Sequence, residues 1–307
     1  MSNHDFSGQS PICTLAEYIA QSPFRIAPEG AAGLQHEVDS AGIVLEFVVD
    51  RPGVPRTVLA DYNTETKVVR LGTSFLETIW AAANLFLVAL TAYQAAQRTL
   101  QPIFELEAEP AVRSAYELYR DRLEALASDK PTAWPAGASR PTPSPPESSP
   151  VHQANELFLT AVAWILHHEL AHARLKHEEN APNSMEQEHA ADTEATLKVC
   201  QSPANPLELA KRTLGIATAV LVLVARDLQG NRQMFTTHPP TYERLLNSLG
   251  AANLDYDHDT YAAAFVILDI LLTEAGLTDD LNRDLGMSFD LCFEACNILR
   301  ERSVVSK

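Results

Sequence analysis

One stripe of side chains in the middle of this chain constrains its fold more than any other feature. Six residues of the stripe follow one another at spacings of four, four, three, four and three: Leu157, Ala161, Ile165, His168, His172 and Leu175. This period is typical of an α-helix face that is buried in a core. We therefore predict a buried helix over residues 152–178, with both histidines facing inward.

The end of this helix carries the segment His168-Glu169-Leu170-Ala171-His172. Two histidines four residues apart lie on the same helix face, so both imidazoles can bind one metal ion. A catalytic zinc ion takes three protein ligands and leaves its fourth position to water. Glu169 lies beside this face and is not needed as a ligand, which makes it the candidate general base that deprotonates the attacking water.

A candidate for the third metal ligand follows in the segment from Glu188 to Ala195. Glu188 and Asp192 are four residues apart and share a helix face, while Ala191 and Ala195 are small enough for close helix packing. We predict that Glu188 is the third ligand. Asp192 is expected to accept the free ring N–H of one of the two metal-binding histidines, an arrangement that fixes the tautomer of a ligand.

Nearby acidic residues and a further histidine have simpler interpretations. Glu186 and Glu194 are predicted to form a solvated acidic face. In the metzincin arrangement a third histidine would lie six residues after His172, but that position is Glu178. His177 lies one residue short of it and would be rotated away from the metal, so we exclude the metzincin class.

Three blocks of sequence resemble the gluzincin metallopeptidases of the HtpX and CAAX-prenyl-protease type. The histidine block is followed, in the order of that family, by Glu188-x-x-Ala191-Asp192 and then by Thr237-His238-Pro239-Pro240. The resemblance covers roughly residues 152–249. It implies that His168, His172 and Glu188 bind Zn²⁺ and that Glu169 is the general base.

The third block implies further roles close to the metal. The resemblance implies that His238 donates a hydrogen bond to the tetrahedral oxyanion, and that Arg244 supports this region through an acidic partner. Tyr242 is an alternative donor to the oxyanion. Taken alone, His238 would be interpreted as a turn residue ahead of a helix that begins at the two prolines.

The HtpX and prenyl-protease relatives are membrane proteins, whereas no segment of this chain is convincing as a membrane span. Residues 78–97 reach the length of a span but contain several polar residues, and we predict a buried helix anchored by Trp80, Phe86 and Leu90. The chain is therefore more similar to the soluble Lit-type phage-exclusion peptidases. This resemblance implies a regulated intracellular endopeptidase, in a family known for cleaving a translation factor during phage infection.

The net charge of the chain limits the kinds of molecule that it is expected to bind. The 307-residue chain has 40 acidic and 23 basic residues, which give a formal net charge of −17. Such a surface repels nucleic acid and anionic membranes, so we exclude nucleic acid and stable membrane insertion and expect a protein or peptide substrate. The first residues lack the basic start and apolar run of a secretion signal, and we expect a cytoplasmic protein.

The fold is predicted to be α+β and mainly helical, with a small N-terminal antiparallel sheet and a helical, zincin-like catalytic half. Three segments are predicted to form the strands of the sheet: 43–49, 57–59 and 67–71. Besides the helix at 152–178 and one that carries Glu188, helices are predicted at 75–99, 111–127, 206–230, 241–249, 260–275 and 287–304.

A Pro-rich segment divides the chain. We distinguish an N-terminal α+β region (1–127), a linker (128–151) and a helical zinc peptidase region (152–307). The linker contains seven prolines and is expected to be extended and poorly ordered. A flap that covers the metal site is the alternative interpretation of this segment.

These observations favour one function and leave two alternatives. The leading hypothesis is zinc-dependent hydrolysis of peptide bonds in an intracellular protein by a regulated or latent endopeptidase, with a role in phage defence implied by the Lit-type resemblance. The first alternative is a catalytically silent, zinc-containing module that recognises a partner protein. The second is a helix that carries this motif without any metal.

Overall fold

A computed structural model of the chain describes residues 10–50, 59–98, 109–128, 132–177, 184–229, 238–277, 281 and 287–305. Within these residues the helices are α1 (Ala16–Ile26), α2 (Ala31–Ala41), α3 (Thr73–Arg98), α4 (Pro110–Ala127), α5 (Pro150–Leu175), α6 (Ser184–Val199), α7 (Pro206–Leu228), α8 (Thr241–Ala251), α9 (Asp259–Glu274) and α10 (Ser288–Val305). The strands are β1 (Val44–Val48), β2 (Ala60–Asn63) and β3 (Val68–Gly72). The α+β class with a predominance of helix is confirmed.

Capping residues determine where the central helices begin. Ser149 accepts a hydrogen bond from the N–H of His152, and α5 therefore begins at Pro150. Asn205 accepts a hydrogen bond from the N–H of Glu208 at 2.9 Å, directly ahead of α7. These side chains satisfy N–H groups that have no partner within the helix. The helices predicted from residue 152 onward are confirmed, with starts within two residues of the predicted positions.

The first two helices, α1 and α2, have no strong signal in the sequence. The interior of α1 contains Pro23, which lacks a helical N–H. Contacts with α5 support both helices: α1 packs against α5, and Arg174 at the end of α5 donates from Nε to both carboxylate oxygens of Glu37 on α2, at 2.7 and 2.9 Å. Tertiary packing thus stabilises helices that local propensity disfavours.

The sheet is mixed, which corrects the antiparallel arrangement expected from the sequence. Its strand order is β1-β3-β2, with β2 antiparallel and β1 parallel to β3. The turn between β2 and β3 has four residues, and such a short connection allows only antiparallel pairing. Because β2 lies at the far edge from β1, β3 lies between the two strands and runs in the same direction as β1.

The central helix of the fold is α5, which packs against α1, α3, α6 and α7 and contacts β2. Beside it, α3 is long and apolar enough to cross a membrane, but 72% of its most apolar stretch is buried inside the protein. Trp80 and Phe86 of α3 are buried as predicted, whereas Leu90 is only partly buried. These features are those of a core helix.

The Pro-rich connector is irregular between residues 132 and 149 but packs against the helices. The ring of Trp134 meets the ring of Trp80 edge-on, with 5.7 Å between the centroids. Further along, Nδ2 of Asn155 donates a hydrogen bond to the carbonyl of Thr142 at 2.8 Å. Asn155 precedes His168 by 13 residues, or about 20 Å along α5. These contacts therefore do not support a flap over the metal site.

The crossing of α5 and α7 leaves room for glycine alone. A Cβ atom at Gly215 would lie 2.4 Å from Cγ2 and 2.6 Å from Cβ of Thr160. We expect Gly215→Ala to lower the free energy of unfolding by about 1–3 kcal/mol, because overpacking pushes the two helices apart. Urea denaturation of the variant and the wild type measures this difference.

The matched control is Gly33→Ala in α2, where a Cβ atom would meet nothing within 4 Å. This variant is expected to be more stable than the wild type by about 0.5–1 kcal/mol, since alanine favours the helix. Equal stability of the Gly215→Ala variant and the wild type would contradict the close crossing of the helices.

Candidate metal centre

The candidate metal centre lies between α5 and α6. Ala191 and Ala195 of α6 are fully buried, as predicted for residues that allow close helix packing. Nε1 of Trp164 on α5 donates a hydrogen bond to Oγ1 of Thr196 on α6 at 3.0 Å. This packing brings Glu188, near the start of α6, to the two histidines at the end of α5.

The metal-binding atoms of the three predicted ligands lie close together. Nε2 of His168 lies 3.2 Å from Nε2 of His172 and 3.4 Å from Oε2 of Glu188. Nε2 of His172 lies 3.5 Å from Oε1 of Glu188. Ligand atoms bound tetrahedrally to zinc at about 2.0–2.2 Å are separated by about 3.3–3.6 Å. The two histidine nitrogens and the carboxylate of Glu188 are thus spaced much like the ligands of one zinc ion, with each histidine approaching a different oxygen of Glu188.

The chemistry of these side chains fits a metal ion. Oε2 of Glu188 is buried and accepts no hydrogen bond from the described residues. Buried polar atoms are normally satisfied, so this oxygen is suited to bind a cation. Two imidazole nitrogens with one carboxylate oxygen are ligands that zinc prefers. His168, His172 and Glu188 can therefore hold a metal ion.

Asp192 and Arg244 support His168 on the side of its ring that faces away from the other candidate ligands. Oδ1 of Asp192 lies 2.9 Å from Nδ1 of His168, the ring nitrogen opposite the candidate metal ligand Nε2. Arg244 donates from Nε and Nη2 to the two oxygens of Asp192, at 2.8 and 2.7 Å. Asp192 therefore contacts His168 rather than His172, and it is the acidic partner expected for Arg244.

His238 lies beside the cluster, just ahead of α8. Its Nε2 atom is 3.6 Å from Oε1 of Glu188, and its side chain is 36% exposed. Tyr242, the alternative oxyanion donor, is largely buried in the first turn of α8. The structure therefore brings His238 to the candidate metal ligands and leaves it accessible to a substrate.

Glu169 is buried next to the cluster. Burial raises the pKa of its carboxyl to about 7, and the positive charges of His168 and Arg244 offset only part of that shift. The nearby carboxylate of Asp61 on β2 also raises the pKa of Glu169. A group with a pKa near 7 can both accept and release a proton at neutral pH.

The charged groups around His168 and His172 favour one positively charged imidazole in the candidate metal centre. Burial alone would lower the pKa of His168, but contacts with Asp192 and Glu188 raise it to about 10. Burial and the charge of His168 lower the pKa of His172 to about 3. Burial would raise the pKa of Glu188, but contact with His168 holds it well below its usual value. A bound cation would take the place of the positive charge that Asp192 and Glu188 favour at His168.

The two acidic residues assigned to a solvated face have different environments. Glu186 is exposed, as expected. Glu194 is only partly exposed and accepts a hydrogen bond from Nη1 of Arg174 at 3.3 Å. Glu194 therefore helps to hold α5 and α6 together.

A cavity of about 360 Å³ lies on another side of α5. Its lining includes His167, Arg174, Leu34 and Gly33, and none of the candidate metal ligands. The candidate site is therefore identified by the chemistry and the distances of its side chains rather than by a cavity.

His177 lies next to the ligands, although its position in the sequence excluded it as a metal ligand. Nδ1 of His177 lies 2.8 Å from Nδ1 of His172, so His177 is part of the site although it is not a metal ligand. A continued helix would carry His177 away, but α5 ends at Leu175 and the chain turns back at Lys176. A glycine after the helix would have indicated this turn, whereas lysine carries no such signal.

Comparisons with known proteins identify relatives of this chain. The family model described as Peptidase U49 matches residues 69–266, a range that contains every residue of the candidate metal centre. The cell death peptidase of Escherichia coli (strain K12) is 32% identical over 283 residues, which cover 92% of this chain and 94% of that relative. No solved structure shows a significant match.

Proposed function

This chain belongs to the Peptidase U49 family, and we propose that it is a zinc-dependent endopeptidase of the gluzincin type that hydrolyses peptide bonds of a cytoplasmic protein. The family and the similarity to a cell death peptidase support the hydrolysis of peptide bonds. The observation that carries the zinc assignment is the cluster of His168, His172 and Glu188, whose ligand types and close spacing suit that ion.

Bound at these residues, zinc would polarise the scissile carbonyl and increase the acidity of water. Glu169 then acts as the general base: its carboxylate takes a proton from the attacking water and passes it to the leaving amine. The charges of His168 and Glu188 both act on Glu169, and this closeness to the ligands supports the role, because a proton acceptor must lie within reach of the water it activates.

His238 and Arg244 have separate roles in this proposal. His238 lies within 3.6 Å of Glu188 and is partly exposed, so it can donate a hydrogen bond to the oxyanion that forms on the substrate carbonyl. Arg244 is buried and binds Asp192, which in turn contacts His168. Arg244 therefore positions a metal ligand and does not touch the substrate.

We also propose that β2 holds the substrate in an extended form. Among the described strands β2 lies at one edge of the sheet, opposite β1, and it contacts α5. The charge of Asp61 on β2 acts on Glu169, so this strand runs close to the general base. A peptide that pairs with an edge strand is held straight, which would present its backbone to the site.

The activity is proposed to be regulated. An endopeptidase that cleaves proteins of its own cell would harm that cell unless a trigger controlled it. The relative's name, cell death peptidase, supports such control. A role in phage defence, implied by the resemblance to the phage-exclusion peptidases, belongs to the same proposal.

The metal content of the purified protein tests the proposal first. We expect elemental mass spectrometry to find one zinc ion per wild-type chain and little or none in a Glu188→Ala variant. Loss of a ligand is expected to weaken zinc binding by more than the about 10–100-fold typical of a residue that only orients a ligand.

Glu186→Ala is the matched control, because Glu186 is an exposed glutamate in the first turn of the same helix. It is expected to bind zinc like the wild type. Wild-type protein that binds no zinc even after the metal is resupplied would contradict the proposal.

A further inference from the structure

We propose that His177, which follows the C-terminal end of α5, is a positioning residue that holds the metal ligand His172 in the tautomer and orientation needed for metal binding. The inference rests on the metal site of the proposed function. It adds a residue that is neither a ligand nor part of the three sequence blocks.

The backbone brings His177 back to His172. Lys176 has the left-handed conformation, with φ 55° and ψ 45°. Its N–H donates to the carbonyl of Ala173 at 3.3 Å, and the N–H of His177 donates to the carbonyl of His172 at 3.0 Å. These two hydrogen bonds form a Schellman motif, in which the second residue beyond the helix end packs against the residue five positions before it.

The side chains meet through their ring nitrogens. Nδ1 of His177 lies 2.8 Å from Nδ1 of His172, and the ring centroids are 4.9 Å apart at an interplanar angle of 72°. Two imidazole nitrogens at this distance share one proton, which one ring donates and the other accepts.

Metal binding determines which ring is the donor. Nε2 of His172 faces Glu188 and His168, at 3.5 and 3.2 Å, and must keep its lone pair to bind a metal. The proton of the neutral His172 ring must therefore be on Nδ1, from which it is donated to His177. His177 accepts at Nδ1 and carries its own proton on Nε2.

The arrangement parallels that of the other histidine ligand. Nδ1 of His168 lies 2.9 Å from a carboxylate oxygen of Asp192. Each histidine ligand thus has a hydrogen-bond acceptor beside the nitrogen opposite the metal site, an anionic one for His168 and a neutral one for His172. Such partners raise the affinity of a metal site by orienting the ligand and fixing its tautomer.

Zinc affinity tests this role without any substrate. Metal-free wild type, His177→Leu and His177→Asn would be titrated with Zn²⁺ in competition with a chromogenic chelator. We expect His177→Leu, which fills space but accepts no hydrogen bond, to bind zinc about 10–100-fold more weakly. In His177→Asn the side-chain oxygen replaces Nδ1 as an acceptor, so its affinity is expected to remain close to that of the wild type.

Two further variants separate hydrogen bonding from other effects. Lys176→Gly is expected to bind zinc like the wild type, because glycine adopts the left-handed conformation readily. His36→Leu, which replaces an exposed histidine of α2, is the matched control for loss of an imidazole. Circular dichroism of each metal-free variant confirms that it is folded before its affinity is compared.

The outcomes distinguish this inference from the proposed function. If the wild type binds zinc and His177→Leu binds it equally well, His177 has no positioning role and the zinc site stands. If His177→Asn loses as much affinity as His177→Leu, the acceptor at Nδ1 is not the cause and the inference is wrong. If the wild type binds no zinc, the proposed function fails, and this inference fails with it.

Discussion

Replacement of Glu169 by Gln is expected to lower the rate of peptide-bond hydrolysis by about 10²–10⁴-fold while zinc remains bound. The amide has the shape of the carboxyl group but cannot take a proton from water. Glu169 does not belong to the ligand cluster of His168, His172 and Glu188, so the metal site should be unchanged. Because the variant is isosteric, its stability is expected to differ little from that of the wild type.

The measurement compares cells that express the wild type with cells that express Glu169→Gln. New protein N-termini, enriched and identified by mass spectrometry, should appear only with the wild type, and elemental analysis should find equal zinc in both proteins. Glu186→Gln controls for loss of a carboxylate elsewhere on the surface. A cleavage product that is equally abundant with Glu169→Gln would exclude the mechanism.

Replacement of Arg244 by Met is expected to lower the free energy of unfolding by about 3–5 kcal/mol. Asp192 is fully buried, and its two oxygens accept hydrogen bonds from Arg244 at 2.7 and 2.8 Å. Methionine fills much of the space but removes both hydrogen bonds from Arg244, which leaves the buried carboxylate of Asp192 with His168 alone among the partners described above. Thermal and urea denaturation in the presence of a chelator measure this cost without a contribution from bound metal.

The double variant Asp192→Leu/Arg244→Met tests the explanation. Replacing both partners of a buried ion pair by apolar residues is often nearly neutral for stability, so the double variant should be more stable than Arg244→Met alone. The zinc affinity of the double variant should be lower than that of the wild type, because Nδ1 of His168 has lost its acceptor Asp192. Additive losses of stability from the two substitutions would show that the pair is not coupled.

Much of this structure follows from relations that are local in the sequence. Histidines four residues apart on a helix share a face, whatever the rest of the chain does. Likewise, asparagine directly ahead of a proline is a common start of a helix, as Asn205 and Pro206 show. The helix starts and the approach of Glu188 to the histidines could therefore be predicted from residue spacing, given two helices that pack together.

Other features depend on the path of the chain through space. The parallel pairing of β1 with β3 goes together with the position of β2 at the far edge of the sheet, and strand patterns carry no record of strand order. The contact of Asp192 with His168 rather than His172 depends on how α6 rests on α5. The return of His177 depends on a left-handed lysine, a residue type that seldom adopts this conformation.

The metal ligands and another ion pair of the protein differ in how far apart their members lie along the chain. Glu188 follows His168 by 20 residues, whereas Glu29 and Arg212, which form an ion pair at 2.6 Å, are 183 residues apart. Closing the longer loop costs about 2 kcal/mol more chain entropy than closing the shorter one. Because loop closure costs more entropy for distant contacts, we expect the order of folding to follow this difference. The α5–α6 hairpin can bring its three ligands together early, and Arg244 and the N-terminal helices then close around an assembled centre.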